Sequence, residues 1–250
     1  MRILVACEES QAVTIEMRRL GHEAYSCDIQ ECSGGHPEWH IQGDVLKILN
    51  PSRQVIPGDS WYGFKFRTMD GILHCLDGKW DMIIAHPPCT YLSNAGNDYF
   101  NVNKYGVSAV DRWKKRIEAA AFFMKFVEAD CERKAIENPV GYMNSHYRKA
   151  DQTIHPYFFA ESEEDKDNYH MKRTCLWLFG LPKLQRTSFL PEPLPTYIDK
   201  TQRAKKRYFT EAMHGSHEER QKARSKTFPG IAKSMAEQWA GDARNAKEDQ

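Results

Sequence analysis

Two short motifs in this sequence carry side chains suited to covalent chemistry on a ring. His86-Pro87-Pro88-Cys89 follows an apolar run, and its two prolines hold the backbone that presents Cys89 in a rigid conformation. A cysteine thiolate placed there is a nucleophile for a soft, electron-poor carbon. In Glu137-Asn138-Pro139, the carboxyl of Glu137 would protonate a ring nitrogen during that attack. The pair predicts one active site; the alternatives are a cysteine that only packs and a capping or surface acid.

Both motifs end segments that have the pattern of buried strands. Apolar and β-branched runs predict strands at residues 3–6, 23–27, 80–85 and 134–137, and helical spacing predicts a helix at 14–20. A second predicted helix covers 110–129, with an apolar face made of Ile117, Ala121, Met124 and Val127. Strands that alternate with helices indicate an α/β protein with a doubly wound, mostly parallel, Rossmann-like sheet. Ligands bind such sheets outside the carboxyl ends of the strands, so the residues after each strand are the functional candidates.

Acidic residues follow the other predicted strands. Glu8 lies in the first loop, Asp28 follows the second strand, and Gly43-Asp44 forms a tight turn with a side-chain acceptor between the strands predicted at 23–27 and 80–85. The first loop is not glycine-rich, so it does not match a dinucleotide or phosphate-binding fingerprint. Acids along this edge would suit a nucleoside ligand that carries a cation and lacks phosphate, such as S-adenosylmethionine. The alternative is that they are ordinary loop acids.

Composition excludes several classes of protein. The 250 residues are 28% charged and 41% hydrophobic, which is typical of soluble globular proteins and excludes a disordered, collagenous or fibrous chain. The longest apolar runs fall far short of the roughly 18–20 residues of a membrane span, and no signal-peptide pattern opens the sequence. We therefore expect a soluble, cytoplasmic protein with no membrane partner. An odd number of cysteines, seven, favours reduced thiols.

Two clusters bear on metal and nucleic-acid binding. Cys27, Cys32, His36 and His40 have a spacing unlike that of common zinc fingers, so we expect no metal. The net charge is +1, which leaves nucleic-acid binding to a local patch. Residues 200–226 hold nine Lys or Arg against three Glu. This run predicts contacts with phosphates, although such runs are also common on solvated faces.

At these motifs the chain resembles the cytosine-5 DNA methyltransferases, in the short form that phages often carry. Asp28, Gly43-Asp44, Pro87-Pro88-Cys89 and Glu137-Asn138-Pro139 occur in the family's order, and segments 172–178 and 224–232 also look like the small phage group. The resemblance covers nearly the whole chain, and its Pro-Pro-Cys and Glu-Asn-Pro motifs are the specific part.

The sequence departs from the family pattern in three places. Cys7-Glu8-Glu9-Ser10-Gln11 replaces the family's Phe-Ala-Gly-x-Gly loop. The Gln-x-Arg-x-Arg motif is missing, and Lys172 or Arg173 stands in its place. Phe228-Pro229-Gly230 occurs where Gly-Asn is usual.

The resemblance implies a class I S-adenosylmethionine-dependent methyltransferase fold and transfer of a methyl group to C5 of cytosine in DNA. Cys89 would attack C6 while Glu137 holds N3, and the target base would have to leave the duplex stack unless it is single-stranded. The implied cofactor-binding residues are Ala6, Glu8, Ser10, Asp28, Asp44 and Pro87. The implied DNA-binding residues are Pro88, Asn138, Lys172, Arg173, Lys205, Lys206 and Arg207.

The resemblance also implies a domain division and a setting. Residues 1–184 would form the catalytic domain, with an insertion at about 50–70, and 185–223 would form a small basic target-recognition segment. Residues 224–240 would close the catalytic domain, and 241–250 would be a flexible tail. The expected setting is a bacterial cell that carries a phage or prophage, a setting consistent with protection of DNA from restriction, although the sequence does not fix the role of the modification.

Three alternative functions remain open from the sequence. Amino-methyltransferases use Asp-Pro-Pro-Tyr or Asn-Pro-Pro-Tyr at this loop, and His86-Pro87-Pro88-Cys89 has neither end residue. A methyltransferase-like protein that binds DNA without catalysis is the second alternative. The third is transfer of a different group to the same carbon.

Overall fold

A computed structural model describes residues 1–51, 63–194, 197–198, 204–205, 216 and 225–243. The described strands are β1 Arg2–Ala6, β2 Glu23–Asp28, β3 His40–Gln42, β4 Phe64–Arg67, β5 Leu73–Leu76, β6 Met82–Ala85, β7 Lys134–Pro139, β8 Gln152–Ile154, β9 Thr174–Phe179, β10 Tyr197–Ile198 and β11 Ala204–Lys205. The described α-helices are α1 Ala12–Arg19, α2 Leu46–Leu49, α3 Val102–Tyr105, α4 Val107–Val127, α5 Tyr142–His146 and α6 Pro229–Met235. Three 3-10 segments, Pro37–Trp39, Asn94–Phe100 and Pro156–Phe159, and a π-helical turn, Ala236–Ala240, complete the elements.

A seven-stranded sheet forms the centre of the molecule, with strand order β3-β2-β1-β6-β7-β9-β8. The first five strands in that order are parallel, and β9 runs antiparallel to both of its neighbours. The predicted α/β class with a mostly parallel sheet is confirmed. The four predicted strands correspond to β1, β2, β6 and β7.

The sheet separates two apolar layers because the side chains of each strand alternate between its faces. On one face, Leu4 and Ile83 pack in one cluster with Phe123 and Phe126 of α4. On the other face, Val5 and Ile84 pack with Met17 of α1 and Met235 of α6. All four residues of β6 are buried, as expected for a central strand covered by helices on both sides.

Helix α4 matches the predicted position, but the predicted apolar face is wrong in part. Ile117 is 61% exposed and Ala121 is exposed, while Met124 and Val127 are only partly buried. The large side chains of α4 that are fully buried are Phe123 and Phe126, whose rings fill the space above the sheet. Two buried phenylalanines therefore set the rotation of the helix more strongly than the smaller residues.

Strand β4 lies in residues 63–70, the described end of the insertion predicted at about 50–70. It pairs antiparallel with β5, and the ring of its Phe66 packs against Tyr25 and Trp80 at centroid distances of 5.0 and 5.9 Å. The hairpin therefore extends the core beside β2. Residues 52–62 lie outside the described part of the chain.

Three further observations concern sequence expectations. Among the described residues, no helix is long and apolar enough to cross a bilayer. None of the seven cysteines, which all lie in the described part of the chain, forms a disulfide bond. Of the predicted tail, residues 241–243 are described, and the Ala243 N–H donates to the carbonyl of Leu20 at 2.9 Å.

Candidate active site

The strand order reverses direction between β1 and β6. Strands β2 and β3 lie on one side of β1, and β6 and β7 continue on the other. Such a switch point opens a crevice at the carboxyl ends of the strands, where α/β sheets bind ligands. The loop that follows β1 and the loop that follows β6 leave the sheet at this point. The His86 N–H donates to the carbonyl of Ala6 at 2.9 Å and joins the two strand ends.

The loop after β6 presents Cys89 at the surface. Pro87 is buried, whereas Pro88 and Cys89 are exposed. The N–H groups of Leu92 and Ser93 donate to the Cys89 carbonyl at 3.0 and 2.9 Å, which closes a tight turn behind the thiol. The proline pair and this turn hold the backbone on both sides of the cysteine.

Strand β7 brings the second motif to the same loop. Glu137 and Asn138 bind successive loop residues: Oε2 of Glu137 lies 3.0 Å from Nδ1 of His86, and Nδ2 of Asn138 donates to the Pro87 carbonyl at 2.7 Å. Asn138 is 2% exposed, so its amide is part of the interior. The structure thus brings together the two motifs that the sequence singled out.

A second set of contacts holds the loop after β6 against the segment after β7. Ser93 forms an isolated bridge with Gly141, and the Tyr142 N–H donates to the Leu92 carbonyl at 2.7 Å. A Cβ atom at Gly141 would lie 1.9 Å from the Leu92 carbonyl oxygen. Only glycine permits this close approach, which brings the segment that follows Glu137 onto the cysteine loop.

Glu137 is held as a carboxylate. Burial opposes its ionisation, but the hydrogen bond and charge of His86, together with the charge of Lys172, outweigh burial and lower the pKa of Glu137. Because a carboxylate only accepts, His86 donates from Nδ1. The other ring nitrogen, Nε2, is buried and has no hydrogen-bond partner within the described residues. Sequence reasoning missed His86, although its place directly before the Pro-Pro-Cys motif was the available signal.

Glu8 lies in the loop that follows β1, and its buried carboxylate packs against the start of α1. It accepts from the N–H groups of Val13 and Thr14 at 2.6 and 3.3 Å and from the Thr14 hydroxyl at 2.7 Å. These donors are unsatisfied groups of the first helical turn, so Glu8 caps the helix. Burial raises the pKa of Glu8, against the lowering effects of His86 and of these hydrogen bonds. Its predicted contact with a cofactor stays a prediction.

Asp28 and Asp44 converge beside the first loop. Asp28 Oδ1 accepts from the Gln30 N–H at 2.9 Å, and Asp44 Oδ1 accepts from the Leu46 N–H at 3.0 Å. Burial, followed by the charges of Asp28 and Asp44 and by Cys27, raises the pKa of the Cys7 thiol well above its ordinary value. Both acids therefore lie close to the end of β1, as their positions after the strands predict.

The first loop has an unusual backbone. Cys7 and Gln11 both have φ near 59°, a left-handed conformation that non-glycine residues seldom adopt. The Gln11 side chain is buried, donates to the His36 carbonyl at 2.8 Å and accepts from the His36 N–H at 3.1 Å. Gln11 thus ties the segment after β2 to the first loop. Sequence reasoning missed this residue, since nothing in its local pattern distinguishes it from an exposed glutamine.

The remaining predicted residues take different positions. Ala6 is buried at the end of β1, and Ser10 is half-buried in the first loop. Lys172 lies near Glu137, while its neighbour Arg173 is exposed. Lys205 belongs to β11, and Lys206 and Arg207 lie outside the described residues.

The candidate zinc ligands make other contacts. The His40 ring is bonded to the Ser26 hydroxyl at 2.8 Å and to the Gln30 carbonyl at 2.9 Å. His36 Nδ1 lies 3.0 Å from the Glu38 carboxylate. Across the part of the chain that the structure describes, no group of three or more His, Cys, Asp or Glu side chains could hold a metal ion.

Comparison with known proteins identifies no family for this chain. No family model matches the chain, and a search of curated proteins finds no significant match. The site combines an exposed thiol, a carboxylate held by an imidazole and a nearby lysine. This arrangement is suited to nucleophilic addition to a ring whose nitrogen needs a hydrogen-bond or proton donor.

Proposed function

We propose that this protein is an S-adenosylmethionine-dependent DNA (cytosine-5)-methyltransferase with a class I methyltransferase fold. The observation that carries the proposal is the joining of the two motifs by Glu137 to His86 and by Asn138 to Pro87. These contacts hold a nucleophile loop and a carboxylate at neighbouring strand ends beside the crevice. The strand order also reverses at β1, which supports binding of a cofactor and a substrate at the carboxyl ends of β1 and β6.

The crevice has residues suited to S-adenosylmethionine. Asp28 ends β2, the position from which an acid accepts hydrogen bonds from ribose hydroxyls. Burial is the main cause of the raised pKa of Cys7, and the charges of Asp28 and Asp44 add to it, so two carboxylates near this loop would favour a cationic ligand. Ser10 and the backbone at Pro87 lie on the loops that flank the crevice. The bound cofactor would supply the methyl group that C5 of cytosine receives.

The chain's own residues would carry the addition to the ring. The Cys89 thiol loses its proton and its sulfur bonds to C6, while N3 gains a proton or a strong hydrogen bond as charge develops on the ring. Glu137 is ionised in the structure, so it must acquire a proton before it can donate to N3. His86 is hydrogen-bonded to Glu137, so the proposed route for that proton passes through its ring. Once C5 has received the methyl group, a base takes the C5 proton. The electrons of that C–H bond re-form the C5–C6 double bond, and the bond between C6 and the Cys89 sulfur breaks.

The proposed partner is DNA. Lys172 would stabilise charge near Glu137, and the basic residues 205–207 would contact phosphates. The proposed location is the cytoplasm of a bacterium that carries the gene on a phage or prophage. The proposed role of the modification is protection of DNA from restriction.

Mass spectrometry of nucleosides tests the proposal. DNA from cells that express the wild-type protein should contain 5-methylcytosine, and DNA from cells that express Cys89→Ala should contain none. N4-methylcytosine or N6-methyladenine would show an amino-methyltransferase instead. A different substituent at C5 would show transfer of another group. Unmodified DNA in both cultures, with both proteins folded, would contradict catalysis.

A further inference from the structure

Two adjacent cavities lie beside the loop that presents Cys89. The first, of about 450 Å³, is bordered by Tyr91, Tyr99 and Tyr105 and by the cations Arg112 and Lys115. The second, of about 390 Å³, shares Tyr91 and Lys115 with the first and reaches Pro88, the residue before Cys89. Together they form one surface depression, here called the tyrosine groove. Each volume falls within the usual range for ligand pockets.

One aromatic ring of the tyrosine groove, that of Tyr99, is exposed to solvent, whereas Tyr91 and Tyr105 are half-buried. Tyr99 is 54% exposed, and its ring centroid lies 5.5 Å from that of Tyr105 at an angle of 38°. A tyrosine that served only the core would be buried, because its ring is a large apolar surface. Exposed rings along a groove are the platforms on which proteins stack unpaired nucleic-acid bases.

The groove also carries cations. The Arg112 guanidinium lies 5.1 Å from the centre of the Tyr91 ring and 5.4 Å from that of Tyr99. Within the described residues, neither Arg112 nor Lys115 forms an ion pair with a carboxylate.

Acids at the groove are largely neutralised. Asp98 forms an ion pair with Lys104 at 2.6 Å, and Asp111 forms one with Lys114 at 3.5 Å. Among the described residues, Glu118 is the acid at this surface that forms no ion pair. The groove therefore offers two cations to a ligand that brings negative charge.

A buried arginine makes the floor of the groove rigid. Arg116 is 5% exposed, and its Nε and Nη2 donate to the Tyr91 carbonyl and to the Asn97 side chain, both at 2.7 Å. Its guanidinium carbon lies 3.3 Å from the centre of the Phe100 ring. These contacts hold the cysteine loop and the 3-10 segment Asn94–Phe100 on helix α4. A preformed groove loses less entropy when it orders a ligand.

We propose that the tyrosine groove binds an unpaired stretch of the substrate DNA strand next to the target base, with a neighbouring base stacked on Tyr99 and a phosphate held at Lys115. This inference rests on the proposed function and deepens it by naming the form of the substrate. The groove continues to Pro88, so a strand in it would place its next nucleotide at Cys89. Paired bases present only their edges and could not stack on these rings. An unpaired strand also avoids the cost of extruding the target base from a duplex.

Binding of fluorescently labelled oligonucleotides to the full chain tests this inference. The single-stranded form and the duplex of one sequence are compared by fluorescence anisotropy. Tyr99→Ala should weaken binding of the single strand about 5- to 100-fold, which corresponds to the loss of one base stack, and should weaken duplex binding much less. Ile72→Ala is the control, since Ile72 is 55% exposed in the turn before β5, outside the groove, and its loss should change affinity less than two-fold.

Two lysine variants on helix α4, one inside the groove and one outside it, give a second measurement. Lys115→Gln should lower the salt dependence of single-strand binding by about 0.7 in slope, the value for one lost phosphate contact. Lys125→Gln, on the same helix but outside the groove, should leave the slope unchanged. The inference is overturned if Tyr99→Ala binds the single strand like wild type, or if it weakens both forms of DNA equally.

A covalent trap separates this inference from the proposed activity. The single strand carrying 5-fluorocytosine is incubated with the protein and S-adenosylmethionine, and the adduct is resolved by mass. If the wild type forms an adduct and Tyr99→Ala binds the single strand with normal affinity, the proposal that the groove binds DNA is contradicted and the proposed methyltransferase activity is supported. Weakened binding by Tyr99→Ala without an adduct supports the groove and contradicts the activity. Circular dichroism melting of each variant verifies its fold.

Discussion

Nδ1 of His86 lies 3.0 Å from Oε2 of Glu137, although 51 positions separate the two residues in the sequence. Their side chains are only 6% and 18% exposed, so the contact belongs largely to the interior. The residue that precedes the Pro-Pro-Cys motif therefore binds the carboxyl of the Glu-Asn-Pro motif and helps to lower its pKa. Two motifs that could be read as independent signals form one physical unit.

Removal of His86 should destabilise the protein through Glu137. His86→Ala leaves a mostly buried carboxylate without its donor, and we expect the free energy of unfolding to fall by about 1–3 kcal/mol at pH 7. Urea denaturation of His86→Ala, Glu137→Gln and the double variant gives the coupling energy of the pair. A coupling energy indistinguishable from zero would contradict the contact.

The same pair predicts the direction of a pH effect. The folded-state pKa of Glu137 lies below its ordinary value of 4.5, so ionised Glu137 stabilises the fold above about pH 4.5. That contribution is lost as the pH falls through the lower, folded-state pKa. Urea midpoints measured between pH 3 and 7 should therefore decline less steeply toward acid for Glu137→Gln than for wild type.

Glu8 should show the opposite trend. Burial raises its pKa above 4.5 in the folded state, so the fold binds a proton more tightly than the unfolded chain does. Its effect on stability is therefore most favourable below about pH 4.5 and is lost as the pH rises through the raised pKa. Glu8→Gln has no proton to lose at this position, so its stability should not fall over the pH range in which wild-type Glu8 ionises.

A non-isosteric variant of Glu8 tests the helix cap separately. Glu8→Ala should lower the free energy of unfolding by about 1–2 kcal/mol, because α1 loses its capping acceptor. Thermal melts of both variants at pH 5 and 7.5 distinguish the two effects. Equal pH dependence in wild type and Glu8→Gln would show that Glu8 does not titrate as described.

Asn138 should affect catalysis through the position of the cysteine loop. Asn138→Ala removes the 2.7 Å bond to the Pro87 carbonyl, and we expect the rate of adduct formation with 5-fluorocytosine DNA to fall about 10- to 100-fold. Asn50→Ala is the control, since it removes a bond of equal length to the Asp130 N–H in the turn before β7. Equal rate losses in the two variants would indicate a general effect on stability.

Gly141 should be intolerant of any side chain for steric reasons. A Cβ there would meet the Leu92 carbonyl oxygen at 1.9 Å, so Gly141→Ala must displace backbone, at a cost of about 1–3 kcal/mol or more. Gly71→Ala is the comparison variant. A Cβ at Gly71 would meet no atom within 4 Å, although the φ of 88° makes any side chain there strained. We expect only Gly141→Ala to slow adduct formation, in addition to lowering the urea midpoint. Unchanged kinetics would contradict a role for this close approach in holding the cysteine loop.

Local pattern accounted for the elements that are long and apolar. Strands β1, β2, β6 and β7 and helices α1 and α4 were predictable, since their composition and spacing reflect burial within one segment. Strands β3 and β8 have only three residues each, too few for a periodic signal. The rotation of α4 was not predictable from spacing alone, because it depends on which rings fill the space above the sheet.

The sequence by itself determined the class of fold and placed Cys89, Glu137, Asp28 and Asp44 at strand ends. Only the tertiary structure decided that the strand order reverses beside β1, that His86 and Asn138 join the two motifs, and that Glu8 caps α1. The physical reason is range. Strand formation and turn formation are local, whereas the partners of a buried polar group are chosen by packing between segments that lie some fifty residues apart.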